Sequence, residues 1–192
     1  MSLTEPIRNQ HQVRQFINYF YQTGQMRNYV LATLCVHTAL RISDILSLTC
    51  NQVYDFQNHR PHKSITITEK KTGKTKIIAL HKNIIAALKT YYSQAAPGAP
   101  LIANPQTGKA ITRVQAYRLL RSAAEALRLR QRVSCHSLRK TFGYHAWKGG
   151  ISPAVIMEIY NHSSLAVTRR YLGVTQDDIN AVYVGLEFNN KG

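Results

Sequence analysis

The sequence predicts a mainly α-helical fold with a small antiparallel β-hairpin near its middle, an α+β architecture. Two observations lead to this prediction. Apolar residues recur at helical spacing over most of the chain, and two β-branched runs flank a single short basic turn. With 192 residues, 44% of them hydrophobic, the chain is long enough to bury one substantial core.

The first part of the chain is predicted to be helical. Residues 13–20 carry apolar side chains at i, i+3, i+4 and i+7, which predicts an amphipathic helix ending near Gly24. Residues 29–40 are more uniformly apolar and predict a buried helix. Ser43 is expected to cap a short helix that runs through Leu48.

The hairpin is predicted from residues 64–68 and 76–80. Both runs are rich in Ile and Thr, and the segment 70–74 between them contains three lysines and Gly73. β-branched runs on either side of a glycine-containing turn are typical of an antiparallel pair. The turn would present a basic tip.

Helix signals resume after the hairpin. They predict helices over 83–92, 113–127, 136–148, 153–160 and 164–171, with a loop at the alanine- and proline-rich segment 95–100. Thr175 and Asp178 resemble a capping box that opens a last helix. The apolar face of that helix comprises Ile179, Val182, Tyr183 and Leu186.

The charge balance indicates a polyanionic partner. Twenty-five Lys and Arg face nine Asp and Glu, which gives a formal charge of +16 and a pI near 10.1. The basic residues are spread along the chain rather than collected in one tail, so simple solubilisation explains them less well than nucleic-acid binding.

The cysteines and the N-terminus indicate a cytoplasmic protein. Cys35, Cys50 and Cys135 are widely separated and form no CxxC pair, so neither a disulfide framework nor a zinc site is expected. The polar start of the chain has no signal-peptide core, and no apolar run is long enough to span a membrane.

Six dispersed residues have the composition of one active site: Arg41, Lys71, His136, Arg139, His162 and Tyr171. Arginine binds two phosphate oxygens at once and stays charged, so Arg41 and Arg139 are candidates to hold a phosphate. Both lie in apolar sequence, where a buried structural ion pair is an equally good explanation.

The other four residues are ambiguous when each is taken alone. Lys71, at the hairpin tip, is a candidate proton donor, with Lys70 and Lys74 as rivals. His136 and His162 lack metal-ligand spacing and would more often be caps or core partners. Tyr171 is a candidate nucleophile, but its local sequence does not set it above Tyr160 or Tyr183.

The order and spacing of these residues resemble the tyrosine recombinase (phage integrase) family. The segment 39–48 resembles the first arginine box, the segment 71–80 the hairpin lysine segment, and 136–139 the His-x-x-Arg box. His162 precedes Tyr171 by nine positions (171 − 162), which is also the family's spacing. The resemblance runs from about residue 27 to about residue 186.

The resemblance implies a catalytic-domain fold and a role for each of the six residues. Tyr171 would attack a DNA phosphate and form a 3′-phosphotyrosyl link, with Arg41 and Arg139 holding the phosphate and Lys71 as general acid. His136 would assist proton transfer and His162 would hydrogen-bond the phosphate. Two rounds of strand exchange would pass through a Holliday junction, and no metal or other cofactor is implied.

The chain departs from the family's pattern in two places. Asn161 stands where glycine usually precedes the second histidine, and asparagine tolerates the left-handed conformation that this turn needs. Members usually carry a separate DNA-clamping domain, longer than the 40 residues before Arg41 here. We therefore expect a single catalytic domain over 1–192, with its core at 11–188 and flexible ends at 1–10 and 189–192. The chain would be either a catalytic domain excised from a longer protein or a short, single-domain member of the kind that inverts small DNA segments.

The expected partner is a double-stranded DNA recombination site. Candidate DNA contacts are Lys70, Lys74, Arg113, Arg118, Arg121, Arg169 and Arg170. The last helix is expected either to pack on its own core, leaving a monomer, or to dock into a neighbour and build a homotetramer on DNA. A type IB topoisomerase and a non-catalytic DNA-binding protein of the same fold are the alternative functions.

Overall fold

The structure, a computed structural model, describes residues 4–185 and every side chain among them except that of Arg170. Leu186 of the predicted apolar face and the expected flexible end 189–192 lie outside the described residues. Within the described part, no helix is long and apolar enough to cross a membrane.

Two helices open the fold as predicted. Helix α1 spans Gln10–Gln22, begins at the cap residue Asn9 and buries Phe16 and Phe20. Helix α2 spans Met26–His37 and is buried over most of its length. It ends before the predicted residue 40 because Ala39 has a positive φ of 55°, which an α-helix does not accommodate.

Two short helices follow. Helix α3 spans Ile42–Ile45 with Arg41 at the N-cap, so the prediction that Ser43 caps it is wrong: Ser43 lies inside the first turn. Helix α4 spans Cys50–Val53 and carries a capping box between Thr49 and Gln52.

The predicted hairpin is confirmed. Strand β3 (Ser64–Thr68) pairs antiparallel with β4 (Thr75–Ala79), with Ile65 opposite Ile78, and Ile65 and Ile67 are buried. A smaller pair was not predicted: β1 (Tyr54–Asp55) pairs with β2 (Arg60–Pro61). Two-residue strands are too short to show an alternating pattern in the sequence.

The next five helices begin and end within one residue of their predicted bounds, and the last helix begins directly after Thr175, as predicted. They are α5 (Lys82–Tyr91), α6 (Arg113–Ala126), α7 (Cys135–Lys148), α8 (Pro153–Tyr160), α9 (Leu165–Leu172) and α10 (Gln176–Gly185), with a 3-10 turn at Tyr92–Gln94. The capping box of α10 is confirmed, since the Thr175 N–H donates to Asp178 and the Asp178 N–H donates to Thr175. The fold is mainly helical with small antiparallel sheets, as predicted.

The buried residues form one large core and a small second cluster. Helices α1, α2, α5 and α6 supply half of the buried residues in the large core. The small cluster comprises Ala39, Ile156, Tyr160 and Leu172 and joins α7, α8 and α9. It supports the residues described next.

The N-terminal segment differs from the expected flexible end. Residues 1–3 lie outside the described residues, but Ile7 is fully buried and its N–H donates to Thr141 Oγ1 at 2.9 Å. Arg8 donates to the Gly173 carbonyl at 3.2 Å, just after α9. Burial of the apolar Ile7 side chain explains why the segment packs on α7.

Candidate active site

Five of the six predicted residues line one open cavity of about 910 Å³: Arg41, Lys71, His136, Arg139 and Tyr171. The start of α3, the β3–β4 turn and helices α6, α7 and α9 form its walls. The fold thus brings together Arg41 and Tyr171, which are 130 positions apart in the sequence (171 − 41). His162 lies behind this surface, against Tyr171.

Arg139 is buried and held by backbone carbonyls. It lies on α7 one turn after His136, donates to the Ala39 carbonyl, and donates to the Tyr160 carbonyl at 3.1 Å. Its guanidinium carbon lies 4.6 Å from the centre of the Tyr160 ring. Among the described residues no carboxylate pairs with it, so its charge is left to attract an anion in the cavity.

Arg41, by contrast, has an internal carboxylate partner. Its NH1 lies 2.9 Å from Oε2 of Glu69, whose side chain is only 1% exposed. Burial alone would raise the pKa of Glu69, but hydrogen bonds from Lys76, Thr72 and Arg41 lower that pKa to about 2. Arg41 therefore forms the structural ion pair that the sequence allowed as an alternative to phosphate binding. That ion pair engages only one of the guanidinium nitrogens.

His136 lies beside the hydroxyl of Tyr171. Nδ1 of His136 is 3.5 Å from the Tyr171 oxygen, and the two rings meet edge to face at 4.9 Å. Burial, together with the charges of Lys140 and Arg139, lowers the pKa of His136. The ring is therefore neutral at neutral pH and able to accept a proton.

His162 follows a left-handed turn, as predicted. Asn161 ends α8 with φ 54° and ψ 48°. The His162 ring stacks on Tyr160 at 5.0 Å, contacts Tyr171 at 4.6 Å, and its Nδ1 lies 3.0 Å from Thr168 Oγ1. Burial lowers its pKa to about 4, and the surrounding cations, Arg139 first, act in the same direction.

The structure separates the three tyrosines that the sequence left equal. Tyr160 is fully buried and its hydroxyl donates to the Arg139 carbonyl at 2.6 Å. Tyr183 is 81% exposed on α10 and lines a different groove. Of the three, Tyr171 reaches the cavity that holds the arginines.

The hairpin lysines also differ from one another. Lys70 and Lys71 both line the cavity. Lys74 instead donates to Oδ1 of Asn161 at 3.1 Å.

The other predicted DNA contacts lie on two helices, α6 and α9. Arg113 lines the cavity, and Arg118 is exposed on the same helix. Arg121 pairs with Glu125 at 2.6 Å and donates to the hydroxyl of Tyr117 at 3.2 Å; Tyr117 lines the cavity, whereas Arg121 itself does not. Arg169 lines the separate groove beside α10. The side chain of Arg170 lies outside the described residues.

Three charged residues at the site were missed in the sequence. Asp44 is buried one turn after Arg41, and its Oδ1 accepts from the Lys70 N–H at 3.1 Å. Glu69 pairs with Arg41, and the Lys140 ammonium lies 5.6 Å from the centre of the Tyr171 ring. The i, i+3 spacing of Arg41 and Asp44 could have indicated that Asp44 lies near the site. The contacts of Glu69, by contrast, depend on the tertiary fold.

The three cysteines are free thiols, with Cys35 and Cys50 buried. Across residues 4–185, no group of three His, Cys, Asp or Glu side chains is placed to hold a metal ion.

The sequence and the fold are similar to those of known proteins. The family model described as the phage integrase family matches residues 8–177. The chain is 37% identical over 183 residues to "Probable integrase/recombinase YoeC" of Bacillus subtilis (strain 168), covering 95% of this chain and 97% of that protein. It is 27% identical over 168 residues to "Tyrosine recombinase XerD" of Mycobacterium tuberculosis (strain CDC 1551 / Oshkosh), covering 83% of this chain and 52% of that one.

A solved structure shares the fold. The XerH site-specific recombinase, bound to palindromic difH substrate in a post-cleavage complex, superposes with a TM-score of 0.73 at 21% identity. The match covers 96% of this chain and 53% of that one.

The chain belongs to the phage integrase family, the tyrosine-type site-specific DNA recombinases. Its fold is that of their catalytic domains. It spans nearly the whole length of the B. subtilis relative and about half the length of XerD.

Proposed function

We propose that the chain cleaves and rejoins DNA strands through a covalent bond between DNA and Tyr171. Membership of a family of site-specific DNA recombinases supports DNA as the substrate. The observation that carries the proposal is the Tyr171 hydroxyl, which lies in one cavity with two arginines and beside a neutral histidine.

In the proposed reaction, the Tyr171 oxygen attacks the scissile phosphorus and the bond from phosphorus to the 5′ oxygen breaks. The tyrosine proton passes to His136, whose Nδ1 lies 3.5 Å from the Tyr171 oxygen. Lys71 gives a proton to the leaving 5′ oxygen. The products are a 3′-phosphotyrosyl link and a free 5′ hydroxyl.

Arg41 and Arg139 are proposed to bind the nonbridging oxygens, and His162 to hydrogen-bond the same phosphate. Arg139 is fixed by two backbone carbonyls, so little reorganisation is needed when charge develops on the phosphate. The link keeps the energy of the phosphodiester, because one P–O bond replaces another. A 5′ hydroxyl from a second strand can therefore reverse the step, and two such exchanges pass through a Holliday junction.

The last helix is proposed to join copies of the chain on DNA. Val182 and Tyr183, on the predicted apolar face of α10, are 64% and 81% exposed in the single chain. They border a groove of about 710 Å³ that Trp147, Leu165 and Leu172 also line. An unburied apolar face beside such a groove favours docking between protomers, which would give the expected homotetramer.

A capture experiment tests the proposed chemistry. A library of nicked duplexes with a randomised stretch beside the nick is incubated with the chain, and covalent adducts are isolated on denaturing gels and sequenced. We expect adducts from the wild type and from Tyr21→Phe, a matched control at an exposed tyrosine on α1, but none from Tyr171→Phe. A wild type that captures no duplex would show that the proposed chemistry is wrong.

The captured site also separates the alternative functions. A recombinase exchanges strands between two duplexes that carry the site, whereas a type IB topoisomerase relaxes supercoiled plasmid alone. A DNA-binding protein without activity would shift the duplexes on native gels and leave no adduct.

A further inference from the structure

Glu69, the residue after β3, is a buried anion at the edge of the basic cavity. Its Oε2 accepts from Arg41 NH1 at 2.9 Å, from Thr72 Oγ1 at 2.9 Å and from Asn161 Nδ2 at 3.3 Å. Its Oε1 accepts from Lys76 Nζ at 2.6 Å. One carboxylate thus connects the start of α3, the hairpin and the end of α8.

The backbone of Glu69 also closes the turn that carries Lys71. Its N–H donates to the Lys74 carbonyl at 3.0 Å, and its carbonyl accepts from the Gly73 N–H at 2.8 Å. Residues 70–73 therefore form a loop whose base is fixed at Glu69. The residue whose carboxylate binds Arg41 and Asn161 is therefore also the residue that anchors the loop presenting Lys71.

Asn161 provides the second connection. Its amide nitrogen donates to Glu69, while its Oδ1 accepts from Lys74 Nζ at 3.1 Å. The next residue is His162. Glycine would also adopt the left-handed conformation of this position, but it has no side chain to bridge the hairpin and α8.

Charge explains why these contacts hold together. Arg41, Lys74 and Lys76 would repel one another across the gap between hairpin and helix if no anion lay among them. The carboxylate is 1% exposed, so water screens its attraction to these cations only weakly.

We propose that Glu69 and Asn161 are positioning residues that hold the Lys71 loop in place relative to Arg41 and His162. This inference rests on the proposed function, in which Lys71 protonates the leaving oxygen. Neither side chain needs to touch the reacting atoms. Their effect is to fix the distance between the general acid and the phosphate-binding arginine.

Two substitutions test the two halves of the connection. Glu69→Gln keeps the size of the side chain and removes its charge, and Asn161→Gly keeps the turn and removes the amide. Since a displacement of about 1 Å can cost on the order of 100-fold in rate, we expect each variant to cleave about 10- to 100-fold more slowly in a single turnover. Asp55→Asn, which alters a carboxylate paired with Arg60 at 3.6 Å, is the matched control.

The decisive measurement compares two leaving groups on the captured duplex. One probe carries the normal 5′ oxygen at the cleaved bond and the other carries sulfur there. A thiol has a pKa of about 8.5 and leaves without help from an acid. Loss of the general acid therefore slows cleavage of the oxygen probe only, and Lys71→Ala provides the benchmark.

If the inference is right, both variants recover to within about threefold of wild type on the sulfur probe, as Lys71→Ala does. Equal losses on both probes would mean that the contacts serve phosphate binding or folding, and would overturn it. Cleavage as fast as, or faster than, wild type on the oxygen probe would overturn it too. If the wild type cleaves neither probe, the proposed function itself is wrong; if it cleaves both and only the variants behave unexpectedly, the inference alone fails.

Discussion

Gly143 on α7 is the position at which one methyl group should disturb the site most directly. A Cβ at this residue would lie 2.9 Å from Cε2 and 3.0 Å from Cζ of the Tyr160 ring, and closer still to the Tyr160 hydroxyl. Ordinary contact begins at 3.4 Å, so the ring must move by at least 0.5 Å (3.4 − 2.9) in Gly143→Ala, and its hydroxyl must move further. Tyr160 cannot swing into solvent, because it is fully buried between Arg139 and His162.

The energetic cost follows from these contacts. Overpacking costs about 1–3 kcal/mol, and loss of the 2.6 Å hydrogen bond from Tyr160 to the Arg139 carbonyl about 1–3 more. Alanine recovers about 1 kcal/mol of helix propensity, which leaves a net loss of about 1–5 kcal/mol. At roughly 2–4 °C per kcal/mol for a chain of this size, the middle of that range lowers the melting temperature by about 6–12 °C.

Thermal unfolding by circular dichroism measures the change, and single-turnover cleavage of the captured duplex measures its effect on the site. Gly185→Ala is the matched control, because Gly185 also lies in a helix but a Cβ there meets nothing within 4 Å. The control should melt no lower than wild type. A Gly143→Ala variant that melts within about 2 °C of wild type and cleaves normally would refute the argument that Tyr160 supports Arg139.

Two further predictions concern regions beside the site. If Arg113 neutralises one DNA phosphate, Arg113→Ala should lower the slope of log affinity against log salt by about 0.9. Binding titrations at several salt concentrations measure that slope. An unchanged slope would mean that Arg113 does not contact DNA. Lys148→Ala should speed amide hydrogen exchange in residues 179–185, because Lys148 pairs with Asp178 in the first turn of α10. Unchanged exchange in these residues would show that the ion pair does not anchor the helix.

The helices could be predicted from the sequence because their ends carry local signals. Ser152 followed by Pro153, and Thr175 paired with Asp178, act within one turn and depend little on the rest of the fold. The prediction that Ser43 caps α3 was wrong because the chain enters that helix in an extended conformation at Arg41. The sequence does not reveal which of two nearby residues, Arg41 or Ser43, makes that change.

The contacts that organise the site could not be predicted in the same way. Ala39 adopts a positive φ, which alanine disfavours, and its carbonyl accepts from Arg139, 100 residues away. Glu69 meets Asn161 only because the hairpin folds against the end of α8. The resemblance to a family identified the six candidate residues, whereas the groups that hold them in place became visible only in three dimensions.

The pKa of His162 provides a test of phosphate binding that does not depend on cleavage. That pKa falls to about 4 because of burial and then because of the charges of Arg139, Arg41 and Lys71. The unfolded chain binds the proton at about 6.5, so this histidine removes stability as pH falls from about 6.5 through 4. A DNA phosphate placed among the same cations would offset their part of the shift, while burial would remain. DNA binding at pH 5 to 6 should therefore be accompanied by proton uptake.

Calorimetry in buffers of different ionisation enthalpy measures that uptake with Tyr171→Phe, which cannot cleave in the proposed reaction. His162→Gln should take up fewer protons, whereas substitution of His11, an exposed histidine on α1, should leave the number unchanged. Equal uptake by Tyr171→Phe and by its His162→Gln derivative would place the phosphate away from His162. Because uptake requires the phosphate to lie among these cations, a positive result would locate the DNA backbone at this cavity even before any cleaved site is known.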